Sequence, residues 1–138
     1  MASFVATFGS GVFFGAALYI SLAQHPALLE AGVARAFFPP MYRRAARMQV
    51  AVALLTTLAG VRAWRTEADS WWLVGAVAQF AVVPLTLLWI KPVNDRLLSP
   101  VEDGETESLL FRWGARHAVR TALSGVAFVI FLWRLRPS

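Results

Sequence analysis

The chain has 138 residues, 58% of them hydrophobic and only 15% charged, with a formal net charge of +5 and no cysteine. Globular chains average roughly 45–50% apolar and about 25% charged residues, so this composition points to a lipid environment. The missing cysteines exclude disulfides and thiolate metal sites, and with so few water-facing residues the positive charge suits anionic lipid headgroups and argues against nucleic acid as a partner.

A spanning helix needs about 20 mostly apolar residues. The first predicted helix lies near 4–24, inside a run without Lys, Arg, Asp or Glu that extends from residue 1 to 29. It lacks the basic n-region of a cleavable signal and is read as a membrane span. Its Gly11 and Gly15 form a GxxxG, read as close helix packing, and Pro26 after His25 predicts a stop or kink there. The second helix is placed near 41–63. Pro39 and Pro40 suit its first turn, and the arginine-studded MYRRAARMQ precedes the uncharged run 48–61.

The short polar stretch RTEADS implies an antiparallel hairpin into a third helix near 70–90, closed by Lys91, Pro92 and Asn94. SPVEDGETES is the most water-exposed segment, a linker or a lid. It leads to a fourth helix near 108–133, which opens with LLFRWGARHAVR. The expected fold is therefore all-α, a single integral membrane domain over 1–138 in which four transmembrane helices form an up-down bundle. YRRAARMQ (42–49) aligns without gaps on FRWGARHA (111–118), and HPALL echoes KPVNDRLL. That weak similarity is what two helical hairpins in parallel orientation would leave.

An up-down bundle brings the end of helix 1, the start of helix 2, the end of helix 3 and the start of helix 4 to one membrane face. That face collects both histidines, His25 and His117, with Tyr42, Arg47, Gln49, Asn94, Asp95, Trp113, Arg116 and Arg120. The opposite face carries routine flanking charge. Trp113, His117, Arg120 and Ser124 fall at i, i+4, i+7 and i+11, one stripe of a helix. Arg120 is the deepest of the arginines, where facing lipid would cost about 2.5–3.5 kcal/mol, so it is expected to point inward, towards Asn94, Asp95 or His25. Trp113 also suits an aromatic belt, and Arg47 and Arg116 also suit headgroups. By the positive-inside rule the histidine face is expected to be cytoplasmic.

Two histidines at one depth allow several chemistries. They could ligate a haem, or a metal with Asp95 or Glu30 as a third ligand. Alternatively, one could act as a general base on a lipophilic acid, with arginine holding the anion. The residues leave these open, alongside a non-catalytic protein whose basic collar binds lipid or a partner subunit; assembly into an oligomer is also left open.

A first helix ending in His25-Pro26, a third ending in Pro92-Val93-Asn94, and a fourth opening with WGARHAVR (113–120) together resemble the small four-helix membrane proteins of the anthrone oxygenase-like family. The resemblance implies a monooxygenase that oxidises a lipophilic phenolic or polycyclic ketone with molecular oxygen as co-substrate and no metal or other cofactor. It implies His117 or His25 as the base, Asn94 and Arg120 as stabilisers of the enolate, and Trp113 as a stacking platform. Tyr42, Arg47 and Arg116 are carried as further substrate contacts.

Overall fold

The structure, a computed structural model, describes residues 1–100 and 103–136, with the side chains of Arg35 and Asp103 left aside. Four helical rods run antiparallel. The first joins α1 (Ala2–Tyr19), a π-helical turn (Ile20–Gln24) and α2 (His25–Ala31). The second is α3 (Ala34–Glu67). The third joins α4 (Ser70–Leu85), a second π-helical turn (Thr86–Ile90) and α5 (Lys91–Leu98), and the fourth is α6 (Asp103–Arg134). α1 packs on α3 and α6, and α4 packs on the same two, so the rods form a closed ring of four neighbours.

Three of the rods, over Ala2–Ala31, Ser70–Leu98 and Gly104–Arg134, are long and apolar enough to cross a membrane. The chain is a multi-pass integral membrane protein. α3 does not meet the same measure, because its apolar stretch is bounded by Arg43, Arg44 and Arg47 at one end and Arg62 and Arg65 at the other.

Side chains are distributed as a bilayer requires. Phe4, Phe8, Leu22, Leu58, Val77, Leu88 and Val129 are exposed on the outside, while Ser10, Gln49, Thr56, Gln79, Asn94, His117 and Ser124 are buried inside. With lipid as the outer solvent, apolar surface loses nothing by exposure, and polar groups are kept out of the hydrocarbon by turning into the seam. Ser10 donates to Gln79 Oε1 at 3.1 Å across the middle of the bundle.

The prolines behave differently from expectation. Pro26 does not end the first rod. His25 keeps a right-handed helical backbone (φ −65°, ψ −47°), and the rod continues to Ala31. A proline in an α-helix lacks one N–H and clashes with the carbonyl four residues back; the π-helical turn immediately before it re-spaces those carbonyls. Pro92 is treated identically, with Thr86–Ile90 as its π-helical turn. The two turns thus occupy equivalent points of the two hairpins. Pro39 and Pro40 also lie inside a helix, since α3 begins at Ala34 and not near 41.

Connections are shorter than expected. Only Ala68 and Asp69 separate α3 from α4; Ala68 adopts φ 53°, and the Asp69 side chain caps α4 by accepting from Trp71 N at 3.0 Å. The second half of SPVEDGETES is the first turn and a half of α6, tied to α5 by an Arg96–Glu105 ion pair; Val101 and Glu102 lie outside the described residues. The GxxxG is not a helix seam: Gly11 packs on Phe128, whereas Gly15 faces open space.

Candidate functional site

The site is built where α6 passes the two π-helical turns. The α6 stripe foreseen from spacing is the buried one, with Trp113, His117, Arg120 and Ser124 all facing inward. α3 presents a matching stripe, Gln49, Ala53, Thr56 and Gly60, also at i, i+4, i+7 and i+11. Between α3, α4 and α6 lies a cavity of about 140 Å³. A single water needs about 10–15 Å³ by this measure, so the space suits an organic molecule. Its walls are mainly apolar, including Phe13, Ala53, Val82 and Ile90, and its polar lining includes Gln49, Asn94, His117 and Arg120.

Arg120 Nη2 donates to Gln49 Oε1 at 2.9 Å and to His117 Nε2 at 2.6 Å. A guanidinium has no acceptor, so this contact fixes the imidazole: Nε2 carries the lone pair, and a neutral ring carries its proton on Nδ1. That Nδ1–H donates to Ser21 Oγ at 3.0 Å. Ser21 in turn lies 3.0 Å from Thr121 Oγ1, and Thr121 donates to the carbonyl of His117 at 3.0 Å. The chain of bonds has one consistent direction, from Arg120 through His117 and Ser21 to Thr121, and it locks the ring.

Three of the residues that line this cavity carry a polar atom with no partner. Gln49 Nε2, Arg120 Nε and Asn94 Oδ1 are buried without a hydrogen bond. Leaving a buried polar atom unpaired costs about 1–3 kcal/mol, and three such atoms around one cavity describe the complement of a ligand: acceptor oxygen for two donors, and a hydroxyl for one acceptor. Arg120 is 8% exposed. Among the described residues the ion pairs are Lys91–Asp95, Arg96–Glu105 and Arg134–Asp69, and none includes Arg120. Its positive charge, packed over the Phe13 ring at 5.7 Å, is unbalanced.

The site residues expected from sequence divide into two groups. His117, Asn94, Arg120, Trp113 and Tyr42 line the cavity. His25, Arg47 and Arg116 do not. His25 lies behind the wall, where its Nε2–H donates to the Leu110 carbonyl at 2.9 Å and its ring stands 5.6 Å from Trp113. The ring rests against Gly114, where any Cβ would collide with it. Trp113 also contacts His117, at 5.0 Å between ring centroids, so the two histidines meet through Trp113 and share no hydrogen bond.

Arg47 is exposed. Arg116 bonds the Trp89 carbonyl in the second π-helical turn and stacks over the Trp89 ring at 5.4 Å, bracing α6 against that turn. Asp95 pairs with Lys91 at the surface and Glu30 is exposed, so neither approaches the histidines. Arg120 does point inward, but its partners are Gln49 and His117 in place of Asn94, Asp95 or His25. No group of three or more His, Asp or Glu suited to a metal occurs among the described residues.

Ser21 and Gln49 were not singled out as site residues from the sequence. The α3 stripe would have flagged Gln49, since its period matches that of α6. Ser21 carries no comparable signal, because its position depends on the π-helical turn that precedes Pro26.

A family model described as anthrone oxygenase matches residues 38–130. The chain belongs to the anthrone oxygenase family. The match takes in the Pro92-Val93-Asn94 and Trp113 to Arg120 motifs and leaves His25-Pro26 outside it. No curated protein and no solved structure matches the chain. The family match and the cavity coincide, since Gln49 on α3, Asn94 on α5 and His117 and Arg120 on α6 all lie within the matched residues.

Proposed function

We propose that this anthrone oxygenase family member is a cofactor-independent monooxygenase of a flat, hydroxylated, lipophilic ketone. The observation that carries the reading is the unbalanced Arg120 charge beside His117 in an apolar cavity. A buried cation without a counter-ion is costly, and an enolate formed at this point supplies the missing negative charge.

The ketone oxygen takes the free Nε–H of Arg120 and the free N–H of Gln49. As the guanidinium turns towards that oxygen, His117 Nε2 is released and accepts the proton from the carbon opposite the carbonyl. The C–H electron pair moves into the ring as an enolate, while Ser21 holds Nδ1–H and prevents the imidazole from rotating. Asn94 Oδ1 accepts from a substrate hydroxyl, and Trp113 and Tyr42 bound the ring face. The enolate reduces molecular oxygen by one electron, and recombination forms a carbon–oxygen bond as a peroxide anion, which takes the proton back from His117 to become the hydroperoxide. Loss of water with the second C–H proton leaves a quinone. One oxygen atom enters the product and the other leaves as water, so the equation balances without a flavin or metal. Donors placed in advance where charge develops are worth about 10²–10³ in rate each.

The test is turnover of an anthrone by the protein in nanodiscs under ¹⁸O₂. The expected result is one oxygen consumed per anthraquinone formed, with one labelled atom in the quinone. Quinone formation no faster than in empty nanodiscs would overturn the reading.

A further inference from the structure

The cavity wall is uneven. Every lining residue contributed by the first rod and by α6 is buried, including Phe13, Ile20, Trp113 and His117. Exposure rises only along the α3 and α4 side. Val50 is 53% exposed and Leu87 is 55% exposed, while Ala45, Ala46, Val83 and Thr86 between them are half-buried. The mouth therefore lies in the seam between α3 and the Thr86–Ile90 turn. Its rim is uncharged, and Arg43, Arg44 and Arg47 are absent from the lining. A mouth facing water would carry a polar rim; this one ends in a valine and a leucine, with the lipid-exposed Leu54 one turn from Val50 and the lipid-exposed Leu88 beside Leu87.

Backbone features hold the seam open. Pro84 removes one helical N–H, the following π-helical turn carries Leu87, and Thr86 Oγ1 donates to the Val82 carbonyl at 2.6 Å. Opposite, α3 offers only alanine at 45, 46 and 53. π-Helical turns of this kind are frequent at functional sites.

We infer that the seam between Val50 and Leu87 is a lateral portal through which the site takes its ligand directly from the hydrocarbon phase of the bilayer. A molecule dissolved among lipid tails reaches Gln49, His117 and Arg120 without passing through water, and the two rim side chains set the width it must have. The proposal deepens the proposed function by naming its route of supply, and rests on that cavity being the ligand site.

A small apolar diazirine dissolved in the bilayer tests it without any turnover. On photolysis the carbene inserts where the reagent resides, and mass spectrometry maps the insertion. Trp113, His117 and Gln49 are expected to be labelled together with the lipid-facing Val129, and a Val50→Trp, Leu87→Trp double variant is expected to lose cavity labelling several-fold while Val129 labelling stays. Leu58→Trp, elsewhere on the lipid face of α3, is the control that leaves the cavity label unchanged. Wild-type protein labelled at Val129 but not in the cavity would overturn the portal, as would cavity labelling by a water-soluble diazirine in preference to the apolar one. That wild-type comparison decides the matter even if the double variant misfolds. Portal labelling with no anthrone turnover would remove the proposed chemistry and leave the portal standing.

Discussion

At the end of the bundle where α3 turns into α4, Trp72 stacks on Phe131 with ring centroids 5.7 Å apart, and Phe131 fills the seam so closely that a Cβ on Gly75 would lie 2.6 Å from it. At the other end of the bundle, α3 lines the seam with Ala45, Ala46 and Ala53 opposite the third rod, and the space left over is the cavity. Both ends obey the rule that helices in lipid pack through small residues. The first end pairs small residues with a large aromatic, and the seam closes. The second pairs small residues with a π-helical turn and polar side chains, and it stays open. A site in this fold is thus made by withholding an aromatic plug as much as by adding polar groups.

The largest expected effect is at the closed end. Phe131→Ala removes the plug between Gly60 and Gly75 and is expected to cost about 3–5 kcal/mol of stability, read as a lower unfolding midpoint in detergent, with ligand affinity of the folded fraction unchanged. A comparable loss of affinity would show that the two ends are not independent.

The open end responds in the opposite sense. Arg120→Leu is expected to lower anthrone turnover about 10²–10³-fold with little change in the unfolding midpoint, because relief of a buried charge that has no counter-ion offsets the acceptors left unpaired on Gln49 and His117. Oxygen uptake and thermal unfolding measured on one preparation check both halves, and a destabilised protein would make Arg120 a structural residue.

Gln49→Leu sharpens the contrast further. It deletes one neutral donor to the developing enolate and is expected to slow turnover at the low end of that range, about 10²-fold, with the effect on kcat and not on KM. The smallest effect belongs to Asp69→Asn, which breaks the Arg134 pair outside the closed end; a change of about 1 kcal/mol or less in stability is expected, with turnover untouched.

Much of this was legible in the chain. Long uncharged runs near 4–24 and 70–90 announce spanning helices because lipid tolerates no polar outer face there, and the stripe Trp113, His117, Arg120, Ser124 follows from helical period alone. What was not legible traces to the prolines. Sequence rules treat Pro26, Pro39 and Pro92 as boundaries, yet two of them are absorbed by π-helical turns and the third lies within α3. Those turns rotate everything that follows, which is why Ser21 reaches His117 and why His25 ends behind Trp113 and outside the cavity. The partner of Arg120 was also hidden: an arginine suggests a carboxylate, and only the fold places the neutral Gln49 beside it while Asp95 stays at the surface.

On the proposed chemistry, His117 takes a proton from the ligand while Arg120 and Gln49 hold the resulting anion. Mixing the protein with an anthrone in the absence of oxygen isolates that step. The expected result is a red-shifted enolate absorbance that grows to one equivalent per protein and is lost in His117→Ala. An enolate that forms equally well in His117→Ala, or none in the wild-type protein, would contradict it.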